Sequence, residues 1–196
     1  MKLILPILAL TCLLAPAAQA GDFSGKSPSG KLSFESKNEK EFYVWLTDQP
    51  EKKTLVYKEE VVFVQGAAIS PDDMWIGLEH GGASLGHTVQ FFQRQKGLDF
   101  KALGGGQNDP DAADKVGGFA LQTQGIKENI LDHSYLHPVK WSDDSKWLVV
   151  SLDAKGSYQG KQTRITNWRC RYNPVSHMIE PVKKNPGKIE VGVKPP

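Results

Sequence analysis

The chain has 196 residues, of which 39% are hydrophobic and 23% charged, and its formal net charge is +2 at pH 7. Acidic and basic residues are mixed along it. It therefore lacks the concentrated basic stripe of a nucleic-acid-binding protein, and we expect no nucleic-acid partner. After the N-terminal segment, no stretch approaches the roughly 20 apolar residues of a membrane-spanning helix. Length and composition are typical of one globular domain with its own core.

The N-terminal segment, residues 1–20, predicts a secretory signal peptide. Lys2 is followed by an apolar run, and Ala18-Gln19-Ala20 forms an A-x-A cleavage site. We therefore expect cleavage before Gly21 and a soluble mature protein that is exported, either periplasmic or secreted. The alternative is a lipoprotein signal with Cys12 as the acylated residue, which the apolar residues after this cysteine disfavour.

The first part of the mature chain predicts a lead-in followed by strands. Residues 21–31 are rich in Gly, Ser and Lys, which is typical of a flexible segment. A single β-rich domain is predicted over residues 32–182. Its first strands are expected at residues 31–36, 41–47, 53–57 and 61–65.

A polar turn within residues 69–79 predicts the clearest sheet. The segment reads I-S-P-D-D-M-W-I-G-L-E, in which Ser and Asp stabilise a tight turn before a hydrophobic strand. Four strands in meander order then form one blade-like sheet. They are predicted at residues 67–69, 74–79, 88–94 and 99–103. A short helix is predicted next, over residues 111–122, with Asn108 or Asp109 as its cap.

Residues 140–153 repeat the turn pattern as K-W-S-D-D-S-K-W-L-V-V-S-L-D. The two segments align without a gap, pairing Ser70 with Ser142, Asp72 with Asp144 and Trp75 with Trp147. We expect the two tryptophans to occupy equivalent buried positions. The second sheet is predicted to consist of strands at residues 139–141, 146–152, 163–172 and 178–182. Residues 183–196, which are basic and Pro-rich, predict a loose tail.

The two turns resemble the S-P-D-G-K-x-(aliphatic) repeat of TolB-type β-propellers, over about ten residues in each copy. Asp73 and Ser145 depart from that pattern, because they stand where the family usually has Gly. The resemblance implies blades in which this turn joins the first two strands. With a weaker N-terminal unit, the chain has fewer units than the roughly four to eight blades of a closed propeller. We therefore expect a mainly β fold of antiparallel, blade-like meander sheets, partially propeller-like, with one short helix. A ring closed by an oligomer is the alternative.

In a blade-like arrangement, one rim of the molecule collects the ends of the second strands and several loops, including residues 132–137 and 153–161. The candidate metal ligands on this rim are Glu79, His80, His87, His133 and His137. Imidazole nitrogens and carboxylate oxygens are ligands that transition metals accept. These residues predict, as an alternative, a divalent-metal site and a metal-dependent hydrolase.

The rim also carries aromatic residues that could bind a ligand. Tyr135 and Tyr158 fall in its predicted loops, and such side chains stack on sugars or peptides. Ser84 lies in a G-x-S-x-G match, but that motif works on a strand-to-helix elbow, which is not predicted here. Cys170, the one cysteine of the mature chain, is predicted to pack in the core. The favoured function is an exported, non-enzymatic binding or interaction module for a protein, peptide or glycan.

Overall fold

Three groups of strands, taken in chain order, make up the architecture. The computed structural model describes residues 21–61, 63–82, 86–103, 112–128, 130–184 and 186–193. Three predictions lie outside these residues: the signal peptide, the cap at Asn108 or Asp109, and the surroundings of Ser84.

The first group is a four-stranded antiparallel sheet with the strand order β1-β2-β3-β4. The strands are β1 (Ser24–Lys26), β2 (Leu32–Lys37), β3 (Glu41–Leu46) and β4 (Thr54–Lys58). Strand β1 lies inside the segment that the composition predicts to be a flexible lead-in, so the structure differs from the sequence there. The reason is a close fit that composition does not reveal: Gly25 pairs with Phe34, and a Cβ at Gly25 would come within 2.6 Å of that ring.

The second group is a four-stranded meander, as predicted, but with different strand boundaries. Its strands are β5 (Phe63–Ile69), β6 (Trp75–Gly82), β7 (Gly86–Arg94) and β8 (Phe100–Leu103). Strand β5 joins two segments that the sequence predicts as separate strands. The pairing of β5 with β6 continues past Gly66 through a register shift, which is why the two segments form one strand.

The third group contains the only helix among the described residues and the longest strands. Its elements are α1 (Ala112–Gln122), β9 (Leu131–Trp141), β10 (Leu148–Tyr158), β11 (Lys161–Tyr172), β12 (Ile179–Pro181) and β13 (Lys188–Val193). No helix in the described part of the chain is long and apolar enough to cross a membrane.

The prediction of rim loops at residues 132–137 and 153–161 is wrong, because β9, β10 and β11 extend through most of both segments. Register shifts such as that between Leu152 and Ala154 let these strands bend and continue pairing. Strand β13 lies in the segment predicted as a loose tail and pairs with the first half of β11.

The second and third groups form one nine-stranded sheet, with the main order β12-β11-β10-β9-β7-β6-β5. The link between them is a parallel contact of β7 with β9, in which His87 pairs with Tyr135. Gly86 permits it: its φ is +82°, and a Cβ there would lie 2.2 Å from the carbonyl oxygen of Ser134. The remaining ladders are antiparallel, and the predicted mainly β fold with one helix is confirmed.

Two hydrophobic cores separate the three groups. One lies between the first and second groups and includes Leu32, Phe42, Ile76, Leu78 and Phe92. The other lies between the second and third groups, under α1, and includes Phe91, Val116, Leu121, Leu136, Leu148, Leu152 and Trp168. Each β-strand of the second group therefore has apolar side chains on both faces.

The polar turn occurs three times in the structure, although only two copies were identified in the sequence. The missed copy begins at Ser27 and reads S-P-S-G-K-L. In each copy the serine hydroxyl accepts a hydrogen bond from the backbone N–H five residues later, at 2.9–3.2 Å for Ser27, Ser70 and Ser142. The short first strand and the lead-in composition hid this copy, since no hydrophobic run precedes the serine.

Successive turns contact each other in a repeated way. The third residue of one turn bonds to the fourth residue of the next: Ser29 Oγ donates to the Asp73 carboxylate at 2.7–2.8 Å. Likewise, the backbone N–H of Asp72 donates to Ser145 Oγ at 3.2 Å. Asp73 and Ser145 both have left-handed φ angles, 60° and 58°. These contacts compensate for the cost of the left-handed conformation where Gly would be less strained.

The prediction for the two tryptophans is correct for their place in the turn and wrong for their burial. Trp75 and Trp147 each follow the turn serine by five residues, but both are only half-buried. The fully buried residues are the next ones along each strand, Ile76 and Leu148. Trp75 stacks against Trp141 of the third group, whereas Trp147 lies under the guanidinium of Arg171.

Candidate functional site

The predicted rim contains a compact cluster of one carboxylate and two imidazoles, which we call the rim cluster: Glu79, His87 and His137. The Oε1 atom of Glu79 lies 3.1 Å from Nδ1 of His87 and 2.9 Å from Nδ1 of His137. Strands β6, β7 and β9 each supply one of these residues. The cluster therefore links the second and third groups beside their parallel contact.

In the rim cluster, Glu79 and His137 each favour the charged form of the other. Burial alone would raise the pKa of the Glu79 carboxyl, but the hydrogen bonds from His137 and His87 outweigh it, so the pKa lies below its ordinary value. The hydrogen bond to Glu79 raises the pKa of His137, against the smaller opposing effect of burial. The cluster is therefore an ion pair from mildly acidic pH up to the raised pKa of His137.

A glycine makes room for the buried carboxylate. Gly66 on β5 pairs with Glu79 on β6. A Cβ at Gly66 would lie 3.0 Å from Oε2 of Glu79, closer than an ordinary contact. The absence of a side chain at this position lets the glutamate lie across β5 and reach the imidazoles.

The structure brings together only part of the predicted metal-ligand set. His80 follows Glu79 on β6 and so points to the opposite face, where its Nδ1 lies 3.2 Å from the hydroxyl of Tyr57. His133 is exposed on β9. Within the described ranges, no group of three or more His, Cys, Asp or Glu residues is arranged to hold a metal ion. The metal site remains a prediction for direct measurement.

The two predicted aromatic ligand residues have different surroundings. Tyr135 lies edge-on to His87, with ring centroids 5.1 Å apart. It lines a shallow cavity of about 330 Å³ together with Asp153, Lys155 and Arg164. Tyr158 instead packs against the core under α1.

A larger cavity, which we call the helix cleft, lies where α1 meets the three strand groups. Its volume is about 380 Å³. The described lining residues are Tyr57, Glu59, His80, Thr88, Val89, Gln90, Phe91, Leu103, Ala112, Lys115, Tyr172, Pro174 and His177. Val89, Phe91 and Ala112 form a buried apolar floor, since each is less than a tenth exposed.

Four polar side chains of the helix cleft form two pairs, each of a tyrosine and a histidine. Tyr57 and His80 form one pair, and the hydroxyl of Tyr172 lies 2.8 Å from Nδ1 of His177 in the other. The Nζ atom of Lys115 lies 3.3 Å from the same nitrogen of His177. Burial, followed by the negative charge of Glu59, holds the pKa of Tyr57 well above its ordinary value, so this hydroxyl keeps its proton.

Sequence reasoning did not identify the helix cleft. Tyr57, Lys115 and His177 come from β4, α1 and the turn after β11, and no spacing in the sequence links them. Tyr172 also belongs to the core, because it is buried and its ring stacks on Phe91 with the centroids 5.3 Å apart. The one local signal was the alternation of aromatic and polar residues at the end of β11.

Cys170 has the predicted structural role. It is fully buried in the second core, and burial raises the pKa of its thiol to about 12. A thiol with that pKa carries little thiolate near neutral pH and is a poor nucleophile.

Two solved structures are similar to the chain. One is TolB from Acinetobacter baumannii, with a TM-score of 0.46, 8% sequence identity, and coverage of 86% of this chain and 34% of that one. The other is the tricorn protease, with a TM-score of 0.40, 15% identity, and coverage of 88% and 15%. The chain thus spans about a third of TolB and less of the tricorn protease. No protein-family model and no curated protein matches the chain.

Proposed function

We propose that the protein is an exported binding module, rather than an enzyme, and that it binds its ligand in the helix cleft. The observation that carries this proposal is the composition of the cleft. All three strand groups and α1 contribute to a single cavity with an apolar floor and a polar rim.

The size and lining of the helix cleft suit a ligand. Binding cavities for small molecules typically range from about 300 to 1,000 Å³ and combine apolar surface with a few polar groups. The helix cleft, at about 380 Å³, lies at the lower end of this range. It can hold a small solute, or one or two side chains of a peptide or one unit of a glycan.

Binding in the helix cleft can be tested with a matched pair of lysine variants. Lys115 lines the cleft, whereas Lys127 is exposed beyond the end of α1. A panel of peptides, glycans and small solutes is screened against the purified protein by calorimetry. The proposal predicts at least one ligand whose affinity falls in Lys115→Gln and is unchanged in Lys127→Gln. Equal effects of both substitutions would place the ligand elsewhere.

The Tyr135 cavity is a second candidate surface for a peptide or glycan. Tyr135 offers an aromatic side chain, and Lys155 and Arg164 add positive charge to the same cavity. A ligand bound there would lose affinity in Tyr135→Ala and keep it in Lys115→Gln. The two surfaces are therefore separable with the same panel.

The metal-dependent hydrolase is the competing function, and the rim cluster is where it would operate. Both imidazoles direct Nδ1 at the Glu79 carboxylate, an arrangement that stabilises the fold without a metal. Metal analysis of the purified protein decides between the two functions. Stoichiometric zinc or manganese that is lost in His137→Ala would support the hydrolase.

A further inference from the structure

The helix cleft has opposite charges on two of its walls. Among the described lining residues, Lys115 on α1 is the one permanent cation, and Glu59, which follows β4, is the one carboxylate. The other titratable lining groups are Tyr57, His80, Tyr172 and His177. Lys115 and Glu59 thus give the described lining one cationic and one anionic end.

The cationic end is also a hydrogen-bond donor site. An ammonium group can only donate, so the contact from Lys115 Nζ requires that Nδ1 of His177 accepts. The ring proton of the neutral imidazole is then on Nε2. His177 is exposed at the mouth of the cleft, and its Nε2–H can donate to a ligand oxygen beside the positive charge of Lys115.

The anionic end lies at the wall formed by the first strand group. Tyr57, two residues before Glu59 in the chain, lines the same wall of the cleft. Tyr57 in turn contacts His80. A ligand ammonium group could therefore lie between the Glu59 carboxylate and the oxygen of Tyr57.

The floor between the two ends is apolar. Val89 and Phe91 contribute side chains from β7, and Leu103 and Pro174 complete the lining around them. A ligand that spans the cleft must therefore offer an apolar group between its charges, because polar atoms on this floor would lose their hydrogen bonds to water.

We propose that the helix cleft binds a small amphipathic zwitterion, namely an apolar α-amino acid or a dipeptide with free ends. The carboxylate binds to Lys115 and Nε2–H of His177, the ammonium group binds to Glu59, and the apolar side chain packs on Val89 and Phe91. This inference rests on the proposed function, since it names the ligand class of the same cleft.

The test uses three probes that differ by one charge: L-leucine, leucinamide, which lacks the carboxylate, and N-acetyl-L-leucine, which lacks the ammonium group. Titrations are followed by calorimetry and by amide shifts of Tyr57, Lys115 and His177. L-Leucine is expected to bind about tenfold more tightly than either analogue, because each loses one charge-assisted interaction.

Single-charge variants identify which end holds which group. Lys115→Gln should weaken L-leucine about tenfold and leave leucinamide unchanged, and Glu59→Gln should weaken L-leucine and leave N-acetyl-L-leucine unchanged. Lys127→Gln and Glu60→Gln are the matched controls, since both residues are exposed outside the cleft. They should change none of the affinities.

The outcomes separate the inference from the function on which it rests. If an analogue binds as tightly as L-leucine, or if only uncharged fragments such as isobutanol shift the cleft resonances, the zwitterion is wrong and the cleft remains a binding site. If neither the three probes nor a panel of neutral, anionic and cationic fragments shifts these resonances, both the inference and the proposed site fail.

Discussion

Glu79 links the second and third strand groups through a single buried carboxylate. Its side chain is 6% exposed, and the carboxylate accepts hydrogen bonds from imidazoles on two other strands. A buried carboxylate that lost both partners would carry a large desolvation penalty. The stability of this junction should therefore depend on the charge of Glu79 and on pH.

We predict that Glu79→Gln destabilises the protein by about 2 kcal/mol at pH 6, the order expected for a charge-assisted hydrogen bond. The estimate is modest because the His137 side chain is 39% exposed and solvent screens the pair. The raised pKa of His137 stabilises the fold at low pH, and this contribution is lost as the pH rises through that value. Denaturant unfolding at pH 6 and pH 9 should show a smaller difference between wild type and variant at pH 9.

At acidic pH, the stability difference between wild type and Glu79→Gln depends on the Glu79 carboxyl rather than on His137. The pKa of Glu79 lies below its ordinary value, so its contribution is present above that ordinary value and is lost as the pH falls through the lowered one. His133→Gln is the control, because His133 is exposed. A Glu79→Gln penalty that is constant from pH 4 to pH 9 would contradict the ion pair.

Gly66 provides an independent test of the same carboxylate. We predict that Gly66→Ala destabilises the protein by about 1–3 kcal/mol, since the added methyl would press on Oε2 of a glutamate that two imidazoles hold in place. Gly82→Ala is the matched control on the same pair of strands, because a Cβ there meets nothing within 4 Å. Equal unfolding midpoints for the two variants would show that Glu79 can move aside.

At the scale of elements, each polar turn sets the orientation of the strand that follows it, which is β2, β6 or β10. Alternate residues of that strand then face opposite sides, on which the neighbouring groups pack. The residue five places after the turn serine faces the following group: Leu32 packs between the first and second groups, and Trp75 packs between the second and third. The next residue faces the preceding group, as Ile76 and Leu148 do. Trp147 occupies the same place in the third turn, on the face away from the second group.

This difference predicts unequal roles for the two tryptophans. Trp75→Ala should destabilise the protein by about 2–3 kcal/mol, because the ring is half-buried against Trp141 and the second core. Trp147→Ala should cost about 1 kcal/mol or less, because its main contact is a cation–π interaction with Arg171. Chemical denaturation of both variants measures the difference. Equal losses of stability in the two variants would mean that Trp147 is as buried in solution as Trp75.

At the scale of the whole molecule, the three groups follow one another in chain order, with one hydrophobic core between each successive pair. The hydrogen bonds between successive turns repeat the same relationship twice, from Ser29 to Asp73 and from Asp72 to Ser145. On the face of the third group away from the second, Asn167 accepts hydrogen bonds from Ser151 and Arg169.

Export is the whole-molecule prediction that rests on the sequence alone. The A-x-A site after an apolar run predicts removal of the first 20 residues. N-terminal sequencing of the protein recovered outside the cytoplasm should begin at Gly21. Retention of Met1, or a lipid-modified Cys12 as the first residue, would contradict the predicted cleavage.

The sequence by itself determined the fold class, the repeated turn and the core role of Cys170. These are local properties: alternating apolar residues specify a strand, and Ser and Asp specify a tight turn, whatever lies elsewhere in the chain. The same local reasoning missed β1 and the turn at Ser27, because short polar strands have no pattern of their own. It also began β9 too late and ended β10 too early, since polar residues that continue a bulged ladder resemble a loop.

Only the tertiary structure decided which of the candidate residues meet. Glu79 and His80 are neighbours in the sequence, yet they point to opposite faces of β6, so one joins the rim cluster and the other the helix cleft. Strand alternation made that separation predictable, but the partners from β4, β7 and β9 depend on how the groups pack. The helix cleft exists only because α1 lies across that junction, and the packing of buried apolar surface, rather than any motif, brings Lys115, Glu59 and His177 around one cavity.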